Sequence, residues 1–406
     1  MIAPARQAFN QSFTEEKYQS FLQHLNASFN YTIPFRVAES PLFVSAELKK
    51  KIFEASNEII DFIVRPDFKK LTEASIPAHL NVPNETDHSL FLALDYAVCK
   101  NDKGDLIPQL IEMQGFPSLF GWQHFVAQQY PKFFDVPSGF MNHFGFSNDG
   151  YQEKLKSVLL NSHNPENVVL LEIDPMKQNT AIDFILTEKL TGVAPIHIGD
   201  VEVEGRNLFY RKGEKKIQIK RIYNRVIFDE LVKRDDLWNR APASSGGATF
   251  NLTQDVEVEW AGHPNWFFRI SKYAMPFIKS RYIPECRFLN EYEIMPKDLE
   301  NYVLKPLFSF SGSGVIFHVT EQDINNIPLD ERHNYLLQRK VNYEPIIQAP
   351  DGLVKAEIRI LFIWEDGAPR PIPFTNLARL SRGEMIGVKF NKDKTWVGGS
   401  VCYFEE

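Results

Sequence analysis

Cysteine is scarce in this chain. Cys99, Cys286 and Cys402 are the only three among 406 residues, and they lie far apart. An odd, scattered set excludes a disulfide framework and a cysteine-built zinc site, and it suits a reducing cytoplasm. Long apolar runs are also absent, so no segment reaches the length of a membrane-spanning helix. The first residues, MIAPARQAFNQSF, lack the basic-then-apolar pattern of an export signal. No Lys/Arg run dominates any stretch and the formal net charge is −7, which argues against nucleic acid or an anionic membrane as partner. Internal repeats and low-complexity tails are missing too. The expectation is a soluble, cytoplasmic protein. What the chain has in plenty is Phe, 33 residues in a composition 44% hydrophobic and 24% charged, as aromatic-rich cores in two or three domains require.

Periodicity divides the chain into segments 1–150, 151–255 and 256–406. In the first, SAELKKKIFEASNEIIDFI (45–63) places Ile52, Phe53, Ile59, Ile60 and Ile63 on one helical face, with Pro66 beyond its end. LFLALDYAV (90–98) and LIPQLIEMQ (106–114) read as two strands joined through CKNDKGD. The second segment has β-α-β punctuation: NVVLLEID, then a helix over 178–192 ending at Gly192, then APIHIGDVEV as a strand. A hairpin and strand follow in 207–226, and Asp183 and Glu188 fit a solvated helix face. The Gly/Ser-rich stretch APASSGGATFN (241–251) marks a boundary. In the third segment a helix around SKYAMPFIKS, strands YVLKP, VIFHV and YLLQRKV, and a strand pair AEIRILFIW and PIPFTNLARL are expected.

Two stretches carry chemistry. YVLKPLFSFSGSGV (302–315) ends a strand at Lys305 and continues into a serine/glycine loop. Gly312 and Gly314 leave backbone amides open to an anion, Ser309, Ser311 and Ser313 offer hydroxyls, and Lys305 adds an ammonium. The loop is not of the Walker A type, because no Gly-Lys-Ser/Thr follows and no helix opens after it. A plain surface turn is the alternative. The next strand shifts the balance toward a nucleotide, since the backbone of Gln338–Val341, Lys340 included, can bond an adenine edge, with Glu344 just beyond.

The other stretch is QLIEMQGFPSLFG (109–121). Residues two apart on a strand share a face, so Glu112 and Gln114 point the same way. A turn centred on Lys103-Gly104 sets Asp95 across from Glu112, about 5 Å away. Two carboxylates that close repel unless protonated or metal-bound. Oxygen donors without His or Cys point to Mg²⁺ shared with ATP phosphates, which makes Asp95, Glu112 and Gln114 the candidate metal ligands. Pro108 in the second strand leaves room for a bulge that moves this pairing by one, and a solvated hairpin is the alternative.

The order of a strand-end lysine, a Gly/Ser lid, LLQ-x-x-V, and EIR…TNLARLSRG resembles the ATP-grasp superfamily. The metal-ligand half usually found last lies early here, as LDYAV…LIEMQGFPSLFG. This is similar to the circularly permuted members, the eukaryotic-type glutathione synthetases and glutathionylspermidine synthases, over most of 90–125 and 265–402. The resemblance implies an α/β (α+β mixed) circularly permuted ATP-grasp fold with a Rossmann-like substrate domain. It also implies ATP and Mg²⁺ as cofactors, and a reaction in which a small-molecule carboxylate is phosphorylated and an amine then displaces phosphate. Lys272, with Lys305, would neutralise phosphates; Glu357 would hold the ribose or join the metal shell. Arg359, Arg379 and Arg382 are forks for phosphate or carboxylate, with surface salt bridges as the alternative for each. Related enzymes suggest a homodimer. The chain departs from the pattern at Gln114, where Asn is usual, at Ala93 in place of a substrate-binding Arg, and at Ser309 in place of an acidic metal ligand. The readings are therefore a carboxylate–amine ligase, a non-catalytic nucleotide-binding module, or a phosphotransferase that stops at phosphorylation. His197 and His263, without partners at ligand spacing, are assigned structural roles, and Arg36 is placed near the site by position alone.

Overall fold

The computed structural model describes residues 2–238, 248–308, 314–384, 386 and 390–406. It is a mixed α/β structure whose main sheet draws strands from both ends of the sequence. The sheet order is Gly398–Ser400, Ile372–Ser381, Gly352–Ile363, Phe91–Lys100 and Leu106–Gln114, with Ile347–Ala349 paired to Gly352–Ile363. Every pairing in it is antiparallel. Phe91–Lys100 is buried along all but its last residue, as its apolar sequence requires of a central strand. Its Leu92, Leu94, Tyr96 and Val98 pack with the helix Ala46–Ile63, and Phe91 and Ala93 enter a second core on the other face. Ser45 caps that helix by accepting from the Leu48 amide, and Ile52, Ile59, Ile60 and Ile63 are buried as the periodicity predicts.

The hairpin carries the bulge that Pro108 allows. Asp95 opposes Glu112, but Tyr96 opposes Leu110, so Ile111 is the extra residue. This explains why Leu110 and Met113, three apart, both reach the same core.

A parallel sheet, ordered Glu259–Ala261, Arg221–Asn224, Val168–Glu172 and Ala194–His197, forms the Rossmann-like part; its edge strand comes from beyond residue 255. The helix Ala181–Thr191 ends at Gly192, whose φ of +82° suits glycine. APIHIGDVEV is two short strands, Ala194–His197 and Glu202–Glu204, split by a turn of 3₁₀ helix. A third sheet, Cys286–Phe288, Tyr335–Arg339 and Tyr302–Pro306, is antiparallel. VIFHV is not a strand. Only Ile316 bridges back to Leu304, because the chain must turn into the helix Glu321–Asn325, fixed by a Thr320–Asp323 capping box. SKYAMPFIKS gives a 3₁₀ helix, Lys272–Phe277, with Pro276 removing an amide donor. Among the described residues no helix is long and apolar enough to cross a membrane.

Candidate functional site

The turn after Gln114 decides what faces the hairpin. The Gly115 amide donates to the Ile270 carbonyl at 2.8 Å, and a Cβ on Gly115 would sit 2.5 Å from the Trp266 carbonyl oxygen. Only glycine lets this backbone lie so close to segment 266–272. Lys272 Nζ then stands 3.5 Å from Glu112 Oε1. From the third sheet, Lys305 Nζ donates to the Ile111 carbonyl at 3.2 Å. That residue is the bulge, where the ladder is interrupted. Burial pushes the Lys305 ammonium down to about 8, nearby Lys272 adds to the fall, and Glu112 opposes it. Glu112, Gln114, Phe116, Phe267, Lys272 and Phe308 line one cavity between the hairpin and the lysine strand. The early hairpin and the residues just after the late lysine strand, Leu307 and Phe308, therefore line one cleft.

Asp95 lies beside this cleft under different control. Adjacent strands set Glu112, Asp95 and Arg359 in one row. Arg359 grips Asp95 with Nε at 2.5 Å and Nη2 at 2.6 Å, and Arg379 Nη2 adds a third donor at 2.7 Å. Arg359 Nη1 also donates to Ser118 Oγ at 3.1 Å. Arg379 is shared with Glu357, whose other oxygen accepts from the Tyr343 hydroxyl at 2.9 Å. Burial raises the Glu357 carboxyl, Arg379 pulls it back in part, and Asp95 raises it further. Asp95 itself is 1% exposed.

These contacts bear on the expected metal. Glu112 and Gln114 share a face and border the cleft, but both oxygens of Asp95 are committed to guanidinium. Among the described residues no group of three or more His, Cys, Asp or Glu side chains is placed to hold a metal ion. Glu112 and Gln114 are open to the cleft, whereas an ion at Asp95 would stand beside the guanidinium groups of Arg359 and Arg379, which already take three of the carboxylate's lone pairs.

The remaining candidates divide. Gln338 is buried between Val303 and Cys286, and its side-chain oxygen lacks a hydrogen-bond partner among the described residues. Lys340 lies over the Phe317 ring at 4.4 Å, and Val341 is half-buried. The Glu344 amide donates to the Val98 carbonyl at 2.8 Å and its carboxylate meets Lys100 at 2.5 Å, which brings this segment against the hairpin. Arg382 pairs with Asp351. Gly314 has a φ of +71°. Ser309, Ser311, Gly312 and Ser313 lie outside the described residues. Ala93 stands opposite Gln114. Arg36 pairs with Glu39 and donates to the Val397 carbonyl. His263 is buried against the Pro83 carbonyl, and His197 accepts from the Asp174 amide.

A second polar cluster was not foreseen. The parallel strands Val168–Glu172 and Arg221–Asn224 are neighbours and run into Glu172 and Arg225 at their carboxyl ends, where the sheet's connections diverge and ligands commonly bind. Arg225 is buried. Its Nη1 donates to the Ser118 carbonyl at 3.1 Å and approaches Asp183 at 3.4 Å, while its Nε has no partner among the described residues. Burial pushes Glu172 up to about 8, more than Arg225 lowers it. Asp183 is fully buried, contrary to the solvated face expected of it. It accepts from the Trp122 amide at 2.9 Å, and burial raises it to about 6. Gly121 permits that contact, since a Cβ there would lie 3.1 Å from Leu186 Cβ. The available signal was a charged residue directly after each apolar strand, in LLEID and IYNRV. The GFPSLFG turn thus touches both clusters: the Ser118 hydroxyl meets Arg359 and its carbonyl meets Arg225.

No family model and no curated protein sequence matches the chain. Among solved structures, a glutathione synthetase-like effector from Globodera pallida, in its apo form, superimposes with a TM-score of 0.59 at 9% identity. The match covers 97% of this chain and 98% of that one. At so low an identity the likeness concerns the fold alone. The chain has a glutathione-synthetase-like fold.

Proposed function

We propose that the chain is an ATP-dependent carboxylate–amine ligase of ATP-grasp type, acting on a small amino-acid or peptide-like acid. One observation carries this reading: Lys305, near the end of the late strand Tyr302–Pro306, places its ammonium on the bulge of the early acidic hairpin, beside the cleft that Glu112 and Lys272 line. In that cleft the triphosphate would lie against Lys272 and Lys305. The acid would lie toward Arg225 and Ser118, with its reacting oxygen turned to the γ-phosphate. Attack forms an O–P bond as the bond to the β-phosphate oxygen breaks, giving an acylphosphate and ADP. The amine nitrogen then attacks the acyl carbon, the C–O bond to phosphate breaks, and the amine's proton is lost to solvent. No protein nucleophile is needed; the protein positions the reactants and neutralises developing charge. Phosphate release from ATP, measured with a panel of acids and amines, tests this. Release that requires both an acid and an amine is expected.

A second reading, a non-catalytic nucleotide-binding module, is favoured by the arginine grip on Asp95, which sets two fixed cations beside one expected metal ligand. ATP binding without phosphate release on every acid–amine pair would select it. ADP formation with an acid and no amine would instead select a phosphotransferase.

A further inference from the structure

A cluster of charged side chains borders the cleft, with Glu112 and Lys272 in its lining. Three carboxylates, Asp95, Glu112 and Glu357, face four cations, Lys272, Lys305, Arg359 and Arg379, so the described cluster is net positive before any ligand arrives. Arginine does not discharge in a protein, so the two guanidinium groups are permanent cations. Their positions are fixed. Arg359 is held by both Asp95 oxygens and by Ser118, and Arg379 is held between Asp95 and Glu357. A divalent ion at Asp95 would stand beside two fixed guanidinium groups, those of Arg359 and Arg379, and be repelled by both.

We propose that Asp95 and Glu357 serve this cleft as anchors for a resident guanidinium pair, so that a nucleoside triphosphate binds here without a divalent cation. The inference rests on the nucleotide reading above and gives that site a different ligand chemistry: the metal-free tetra-anion rather than its magnesium complex. Neutralising phosphate charge falls to Arg359, Arg379, Lys272 and Lys305 in place of an ion. Glu112, the carboxylate in this cluster without an arginine partner among the described contacts, then opposes the ligand instead of recruiting a metal for it.

Calorimetric titration of the full chain with ATP, once in excess Mg²⁺ and once in EDTA, tests the proposal. Affinities within about tenfold of each other are expected. Binding in Mg²⁺ that falls more than tenfold in EDTA would overturn the metal-free site and leave the nucleotide reading standing. Absence of binding in both would end the nucleotide reading itself. The variant Glu112→Gln adds an independent readout. It should bind ATP in EDTA at least as tightly as the parent, about threefold tighter for the loss of a repelling charge. Weaker binding in Mg²⁺ by tenfold or more would assign Glu112 to a metal and overturn the proposal.

Discussion

The two polar clusters joined at Ser118 differ in how their carboxylates are held. On the main sheet, Asp95 takes three guanidinium contacts and Glu357 two donors. At the carboxyl ends of the parallel strands, Glu172 has, among the described residues, only the next residue's amide, at 2.7 Å, as a donor. Each cluster keeps one arginine Nε, of Arg379 and of Arg225, without a partner among the described residues. A carboxylate held by several donors fixes the guanidinium groups around it, whereas one held by a single amide leaves its burial largely uncompensated.

The largest test of that contrast is Arg359→Ala. Removing it leaves Asp95 buried with reduced compensation, and urea unfolding should show a loss of about 3–5 kcal/mol. A loss under about 1 kcal/mol would mean that Asp95 is better solvated than its contacts indicate.

Glu172→Gln probes the other cluster. Its folded-state value near 8 lies above the ordinary 4.5, so its contribution to stability is complete below pH 4.5 and is lost as pH rises through 8. The parent should therefore lose stability across that window relative to the Gln variant, by on the order of 4 kcal/mol at pH 8. Parallel stability curves for the two proteins would contradict this. If turnover is found, Arg225→Lys should raise KM for the acid about tenfold, or about 1.4 kcal/mol, with a smaller change in kcat, because an ammonium cannot reproduce the planar fork. An unchanged KM would remove Arg225 from the acid pocket.

The smallest effect is expected at Lys100→Ala. Its pair with Glu344 is solvent-screened, and thermal unfolding should register no more than about 0.5 kcal/mol. A larger loss would give the 340–344 segment a stronger hold on the hairpin than its contacts imply.

Local pattern made much of this legible. The helix Ala46–Ile63, the two hairpin strands and the Gly192 helix end follow from apolar spacing and cap residues, and the Asp95–Glu112 opposition follows from the turn between them. What spacing could not show is pairing over distance. Arg359 meets Asp95 across 264 residues of sequence, because strand Gly352–Ile363 lies beside Phe91–Lys100. Asp183 looked solvated by helical position; the packing of the GFPSLFG turn onto its helix buried it. VIFHV had strand-like composition, but the capping box at Thr320 redirected the chain.

The most direct test of the central claim is a structure of the full chain with a non-hydrolysable ATP analogue. Phosphate oxygens should lie within hydrogen-bond reach of Lys305 and Lys272, between the acidic hairpin and the strand Tyr302–Pro306. An analogue seated away from both lysines, or no bound analogue at saturating concentration, would contradict it.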